Sequence, residues 1–349
     1  MRPERLSFKD VVLVGAGAFH SFLVDKAGDV YGFGNNTYRQ TGVATEDGGA
    51  ATIIEKPTLI QGLSPAEHDG ARVVQIAGGA FHTVFLFSNG EVWTVGRADE
   101  GEVGLADDHP ELVAMRQRRA DAQIKQDAWK ETNRKKYFAD DGVTVDYYNK
   151  QGDLMTVAEV DAEVEQEAAT EFPLPNNYVA TPQRVEFPLE PATWDAEKTQ
   201  DDYDDEPELC TEPTRIIHVA SAGQHSIAVS ARGYVYTWGL GIMDQLGTGG
   251  TEREATPRRI LNKVLKQLRA IKAEAGGQHC LVVGVSRDWE NKKAAKAAKA
   301  AEAAAAASAA AAAADGAGDV DMADAPEGAE QEEAKAAGAS GELEPIVEG

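Results

Sequence analysis

Apolar and polar positions alternate in short runs over residues 10–285, broken by small-residue turns. The runs at 11–14, 73–77 and 216–220 are rich in β-branched residues and predict buried strands. A histidine follows each run, and then a second apolar stretch: Phe22-Leu23-Val24, Val84-Phe85-Leu86 and Ile227-Ala228-Val229. The next turns, Lys26-Ala27-Gly28, Ser88-Asn89-Gly90 and Ala231-Arg232-Gly233, put glycine where positive φ costs little, which is a hairpin signature. A third strand of form V-[YW]-x-[FVW]-G closes the pattern at 30–34, 92–96 and 235–239. Each unit therefore reads as a small antiparallel sheet.

The units recur in register. His20, His82, His225 and His279 each follow a small-residue turn, and Gly28, Gly90 and Gly233 stand eight residues after the first three. Gly42, Gly104 and Gly247 come eight residues after the glycines that end the third strand. A Pro-x-x-[VI] run follows at 57–60, 182–185 and 257–260. A single such sheet cannot bury both its faces, so copies must pack around an axis. The expected fold is all-β: a partial β-propeller of about three and a half blades out of seven, with an inserted helical segment and a disordered tail. The fourth copy stops after residues 268–283, half way through a repeat. Missing N-terminal repeats would be needed to close the ring, and a truncated chain is the expectation.

Four segments follow from this pattern: two repeats over 1–105, a charged helical insertion over 106–180, the remaining repeats over 181–290 and a tail over 291–349. Within the insertion, residues 110–137 lack internal glycine and proline and predict a helix with a patchy apolar face of Leu112, Met115, Ile124, Ala128 and Trp129. The expectation is that it rests lightly on the propeller or projects from it. Its Arg116, Arg118, Arg119, Lys125, Lys130, Arg134, Lys135 and Lys136 either meet an acidic partner or form a solvated face. Residues 193–211 read as a mobile acidic loop with Asp201, Asp202, Asp204, Asp205 and Glu206. The Ala-rich stretch at 291–314 predicts an isolated helix, and 315–349 is too acidic and aromatic-free to fold.

The 349 residues carry a formal net charge of -24, which argues against a general nucleic-acid binder. Two cysteines, Cys210 and Cys280, make no disulfide framework and point to a reducing compartment. No apolar run reaches the roughly 18–20 residues of a membrane span. The histidines and cysteines lack metal-ligand spacing, and the Gly15-Ala16-Gly17-Ala18 stretch lacks the helix that phosphate binding needs. Ser226 beside His225 points to the opposite strand face, wrong for a nucleophile and base. No cofactor, metal or catalytic residue is expected.

These repeats resemble the regulator of chromosome condensation family, the seven-bladed exchange factor of the small GTPase Ran. The resemblance is carried by residues 74–104 and 216–247, by VYGFGNNTYRQTG, VGRADEGEVGL and WGLGIMDQLGTG, and by GGQHCLVV. It points to the last three repeats and terminal half-repeat of a fungal-type member. It implies a nuclear protein, with cytoplasm as a second location, that acts by binding a Ran-type GTPase and breaks no bond. Histones are implied as chromatin partners. Carried over residue by residue, the GTPase-facing set is His279 and Gln278 of GGQH, His82 of GAFH, Tyr38, Arg39 and Arg97. The family has a histidine where Arg39 stands, and the wedge that opens the nucleotide site belongs to a repeat absent here, so this chain alone is not expected to exchange nucleotide. A scaffold or regulatory propeller without exchange activity is the alternative. A recurrent histidine is also explained as a structural hydrogen-bonder at its turn, and Tyr31, Trp93, Tyr236, Phe33 and Trp238 as packing residues.

Overall fold

A computed structural model describes residues 8, 10–44, 52–192, 209–250 and 252–288, together with parts of 292–305. The chain divides into two units, Met1–Lys292 and Lys293–Gly349. In the second, residues 295–302 are helical, in line with the Ala-rich reading. The acidic tail, and the acidic loop between residues 193 and 208, lie outside the described residues.

The first unit is an array of meanders. Strands β1 (Val11–Ala16), β2 (His20–Asp25), β3 (Val30–Asn35) and β4 (Ile53–Leu59) form blade one, paired in that order. Strands β5 (Val73–Gly78), β6 (His82–Phe87), β7 (Val92–Arg97) and β8 (Tyr178–Arg184) form blade two. Blade three holds β9 (Ile216–Ala222), β10 (His225–Ser230), β11 (Val235–Gly239) and β12 (Glu254–Arg259). A two-stranded sheet of β13 (Leu268–Ala275) and β14 (Cys280–Ser286) follows. This is the partial propeller that the repeats predict. The Pro-x-x-[VI] runs mark a fourth, outer strand: Pro57, Pro182 and Pro257 sit on sheet edges, where a missing N–H breaks no ladder. Just beyond them the amides of Ile60, Val185 and Ile260 donate to the carbonyls of Val30, Val92 and Val235 and fasten each edge.

Side-chain alternation explains why the middle strands are apolar without a break. In β6, Phe85 and Phe87 pack towards blade one with Phe22, Val24 and Leu63, whereas Val84 and Leu86 pack towards blade three with Val219, Tyr236 and Trp238. Both faces meet another sheet, so all six residues of β6 are buried. Ile227 and Val229 of β10 repeat the arrangement against Ala270 and Ala273 of β13. Each joint buries apolar area at about 25 cal/mol per Å².

The β7–β8 connection holds two helices, α1 (Pro110–Arg134) and α2 (Val157–Glu171). Pro110 occupies the first turn of α1, and His109 Nδ1 accepts from the amide of Glu111. Thr156 and Glu159 close a capping box on α2. Only the first helix was expected. The expectation that it rests lightly is corrected: Leu112 and Met115 are buried against Ala98, Val103, Leu105 and Val179 of blade two. The basic row is also spent internally in large part. Lys130 meets Glu165 at 2.6 Å and Arg134 meets Asp161 at 2.7 Å, both on α2, and Arg119 donates to the Pro175 carbonyl. A small core of Trp129, Tyr137, Met155, Val160 and Val164 holds the helix pair together.

Candidate functional site

The three complete blades share one construction at the end where β1, β5 and β9 turn into the next strand. Gly34, Gly96 and Gly239 finish the third strand at φ between 100° and 116°, and a Cβ there would strike the carbonyl oxygens of Phe19, Phe81 and Gln224. The close approach lets Asn35, Arg97 and Leu240 donate to those same carbonyls. The histidine turn and the β3–β4 type connection are thereby tied into one edge. The insertion emerges from that connection in blade two, so it rises on the same face as the histidine turns.

His20, His82 and His225 begin the second strands and lie inside the protein. His20 Nε2 is 2.7 Å from Thr83 Oγ1 of blade two, and His82 Nε2 is 2.7 and 3.0 Å from Ser221 and Ser226 Oγ of blade three. Thr83 Oγ1 donates to the Gln40 carbonyl, so it accepts from His20 and fixes the proton on Nε2. The histidine–hydroxyl pair of the repeat is thus split between neighbours: each histidine reaches forward to the hydroxyl beside the next one. The turn-pin reading becomes a pin between blades. Glycine three places before the histidine makes room for it, since a Cβ at Gly17, Gly79 or Gly276 would fall on the imidazole of His20, His82 or His279. Burial pushes the His20 ring down to about 4 and the His82 ring down to about 3, so both stay neutral.

His225 breaks the rule twice. Ala222 stands where the other repeats have the glycine, and Cys280 stands where the hydroxyl should be. Both of its ring nitrogens are buried without a hydrogen-bond partner. Burial again lowers its basicity, and burial pushes the Cys280 thiol up to about 11.

Of the six residues carried over as partner-facing, three do not offer their polar groups to solvent. His82 is 0% exposed and engaged with the serines. Arg39 is 7% exposed, at φ 59° in its loop, with its guanidinium 5.7 Å from the Tyr178 ring. Arg97 is folded between Asp99 at 2.7 Å and the buried Glu102 at 3.5 Å. Tyr38 is half-buried, and the Arg97 guanidinium lies 5.4 Å from its ring. Gln278 and His279 are exposed. They border a groove of about 370 Å³ lined also by Leu246, Ile260, Leu265 and Val282. The structure brings Tyr38, Arg39 and Arg97 together around blades one and two, while Gln278 and His279 stand on the last sheet.

Aromatic side chains beside the repeat histidines complete the face. Phe19 is 58% exposed and stacks on Phe81 at 5.6 Å, and Phe81 meets Tyr38 at 5.0 Å. The signal was available, because the position before the histidine holds Phe in two repeats and Gln in the other two. The insertion is fixed to this edge. Arg118 of α1 lies 5.7 Å from the Tyr178 ring that Arg39 also faces, and Asn176 donates to the Thr37 carbonyl. Among the described residues, no group of three or more His, Cys, Asp or Glu side chains is placed to hold a metal.

Comparison with known proteins agrees with this construction. Two family models, both described as the regulator of chromosome condensation (RCC1) repeat, match residues 27–86 with 232–283 and residues 11–40 with 73–102. Protein pim1 of Schizosaccharomyces pombe is 26% identical over 287 residues, covering 82% of this chain and 38% of its own. Protein RCC1 of Candida albicans is 33% identical over 110 residues, 31% of this chain and 23% of its own. Human E3 ubiquitin-protein ligase HERC2 is 34% identical over 121 residues, 34% of this chain and 2% of its own. Two crystal structures share the fold at 20% identity and a TM-score of 0.50. One is yeast RCC1 (Prp20) bound to Kap60, covering 83% of this chain and 46% of that one. The other is Prp20p from Saccharomyces cerevisiae, described with its binding to Gsp1p and histones, covering 84% and 48%. The chain spans about two fifths of pim1 and under half of the solved structures.

Proposed function

Because the chain belongs to the regulator of chromosome condensation (RCC1) repeat family, we propose that its histidine-turn face binds a Ran-type small GTPase as part of a guanine-nucleotide exchange factor. The observation that carries this reading is the exposure of Gln278 and His279, the pair that the resemblance makes partner-facing, on the same face as Tyr38. The action is one of binding. A surface that favours the empty GTPase weakens nucleotide affinity, and by linkage nucleotide weakens the surface's own hold to the same degree. A nuclear location and contact with histones accompany the proposal, the latter supported by what is described for Prp20p.

The test is retention of purified Ran-type GTPase, stripped of nucleotide, on the immobilised chain, with release on adding GDP. His279→Ala should weaken retention about tenfold, or about 1.4 kcal/mol, and leave the melting temperature unchanged because the ring is exposed. Retention that ignores GDP would remove the exchange reading. A second reading, a propeller that docks partners without exchange, draws on the internal use of His82, Arg39 and Arg97 and on the HERC2 match. Equal retention of the GDP-loaded and the nucleotide-free GTPase would favour that reading, because a scaffold has no linkage to the nucleotide.

A further inference from the structure

We infer that the partner-facing surface in this chain is anchored by apolar side chains, with Phe19 and Phe81 at its inner edge and Tyr38, Ile242 and Met243 at its outer edge, and that its occupant is the GTPase of the reading above, on which this inference rests. The repeat places these residues in two equivalent rows. Phe19 and Phe81 each precede the repeat histidine, and Tyr38 and Met243 each stand two places before the glutamine of the following loop. Ile242 and Met243 are 56% and 54% exposed, and Phe19 is exposed to a similar degree. The corresponding turns at the other end of the blades read Lys26-Ala27-Gly28, Ser88-Asn89-Gly90 and Ala231-Arg232-Gly233, with no large apolar side chain.

The arrangement suits a folded partner. Exposed large apolar groups on one face mark contact surfaces, here as a Phe19–Phe81–Tyr38 cluster and a separate Ile242-Met243 pair, and aromatic anchors carry much of the energy of such contacts. These anchors are also held in place before any partner arrives. Gln40 Oε1 accepts from the Tyr38 amide and Gln245 Oε1 accepts from the Met243 amide, so each outer residue hangs from a buried glutamine. Phe81 lies between Phe19 and Tyr38, and the docked insertion braces the Tyr38 loop through Asn176 and Tyr178. Ordering paid before association raises affinity without a new contact. Asp244 and Gln245, next to Met243, line the groove that Gln278 and His279 border, which commits the Ile242-Met243 end of the surface to the same partner.

The experiment compares the unaltered chain with Phe19→Ala/Met243→Ala and with a control, Lys26→Ala, on the opposite face. Affinity for nucleotide-free Ran-type GTPase is measured by interferometry, thermal melting by calorimetry and oligomeric state by light scattering. Loss of affinity of at least about tenfold in the double variant, with unchanged melting and an unaffected control, is the expected result. Equal affinity would overturn the apolar anchor while leaving the GTPase reading intact. An unaltered chain that self-associates, and a variant that only dissociates those oligomers, would assign the surface to a second copy and overturn the inference too. If the unaltered chain binds no GTPase, the reading and the inference fall together.

Discussion

Thr83 has two duties at the joint between blades one and two: it accepts from His20 and donates to the Gln40 carbonyl. Thr83→Val keeps the shape and leaves both groups unpaired in the interior, so it should cost about 1–3 kcal/mol in urea unfolding. Cys280→Ser restores the hydroxyl that His225 lacks, and a gain of about 1 kcal/mol is expected from the same measurement. A second pair at this scale is a matched exchange. In blade one Gln40 Nε2 donates to Asn35 Oδ1 at 2.7 Å; in blade two Glu102 and Arg97 occupy those positions as an ion pair. Arg97→Ala strands a buried carboxylate and should cost about 3 kcal/mol. Adding Glu102→Gln with Arg97→Asn rebuilds the blade-one pair and should recover most of that loss, as read from chemical denaturation midpoints. The sequence displayed all these residues. Their duties stayed hidden because each partner lies one repeat away, and a repeat alignment stacks equivalent positions instead of joining neighbouring ones.

Strands were legible because their alternation is short-range and recurs three times. The outer strand was harder to read: Pro57, Pro182 and Pro257 argue against a strand until an edge position is known to be available. Helix α1 was legible from its lack of glycine, whereas α2 was missed although Thr156 and Glu159 form a capping box ahead of Val160, Val164 and Ala168. Its acidic residues and three valines weaken the propensity signal, and packing against α1 supplies the stability. The docking of α1 on blade two gives a prediction at this scale. Met115→Ala should cost about 2–5 kcal/mol locally, and amide exchange in α1 should accelerate while exchange in β6 stays slow. Equal acceleration in both would mean that the insertion and blade unfold as one body. Of the candidate site, Gln278, His279 and Tyr38 sit where a partner could touch them, while burial of His82 and Arg39 depends on neighbouring blades that no single repeat reveals.

Taken as a whole, the first unit stores three neutral histidines in its interior. Unfolded histidines take up protons below about pH 6.5, while His20 and His82 resist until about 4 and 3. The unfolded state therefore binds more protons in that interval, and stability must fall as pH drops from 6.5, by up to about 1.4 kcal/mol per pH unit for each ring. Above pH 6.5 these rings contribute no slope. Glu102, raised by burial, works the other way above about pH 4.5 and blunts the effect near its own titration. Unfolding free energies measured between pH 5 and 8 should rise to a plateau near neutrality; a flat profile would mean that the rings are solvated.

The forward reach of each histidine gives the array a direction. A row of units joined only to their neighbours behaves as a linear chain of couplings, in which total cooperativity is limited by the weakest link. The link between blade three and the β13–β14 sheet lacks the hydrogen bond that the two before it possess. Loss of structure should then begin there and spread backwards, and the sheet that presents Gln278 and His279 would be the first to fray. The most yielding joint then lies one residue from His279, where Cys280 stands in place of the hydroxyl that Ser21, Thr83 and Ser226 carry.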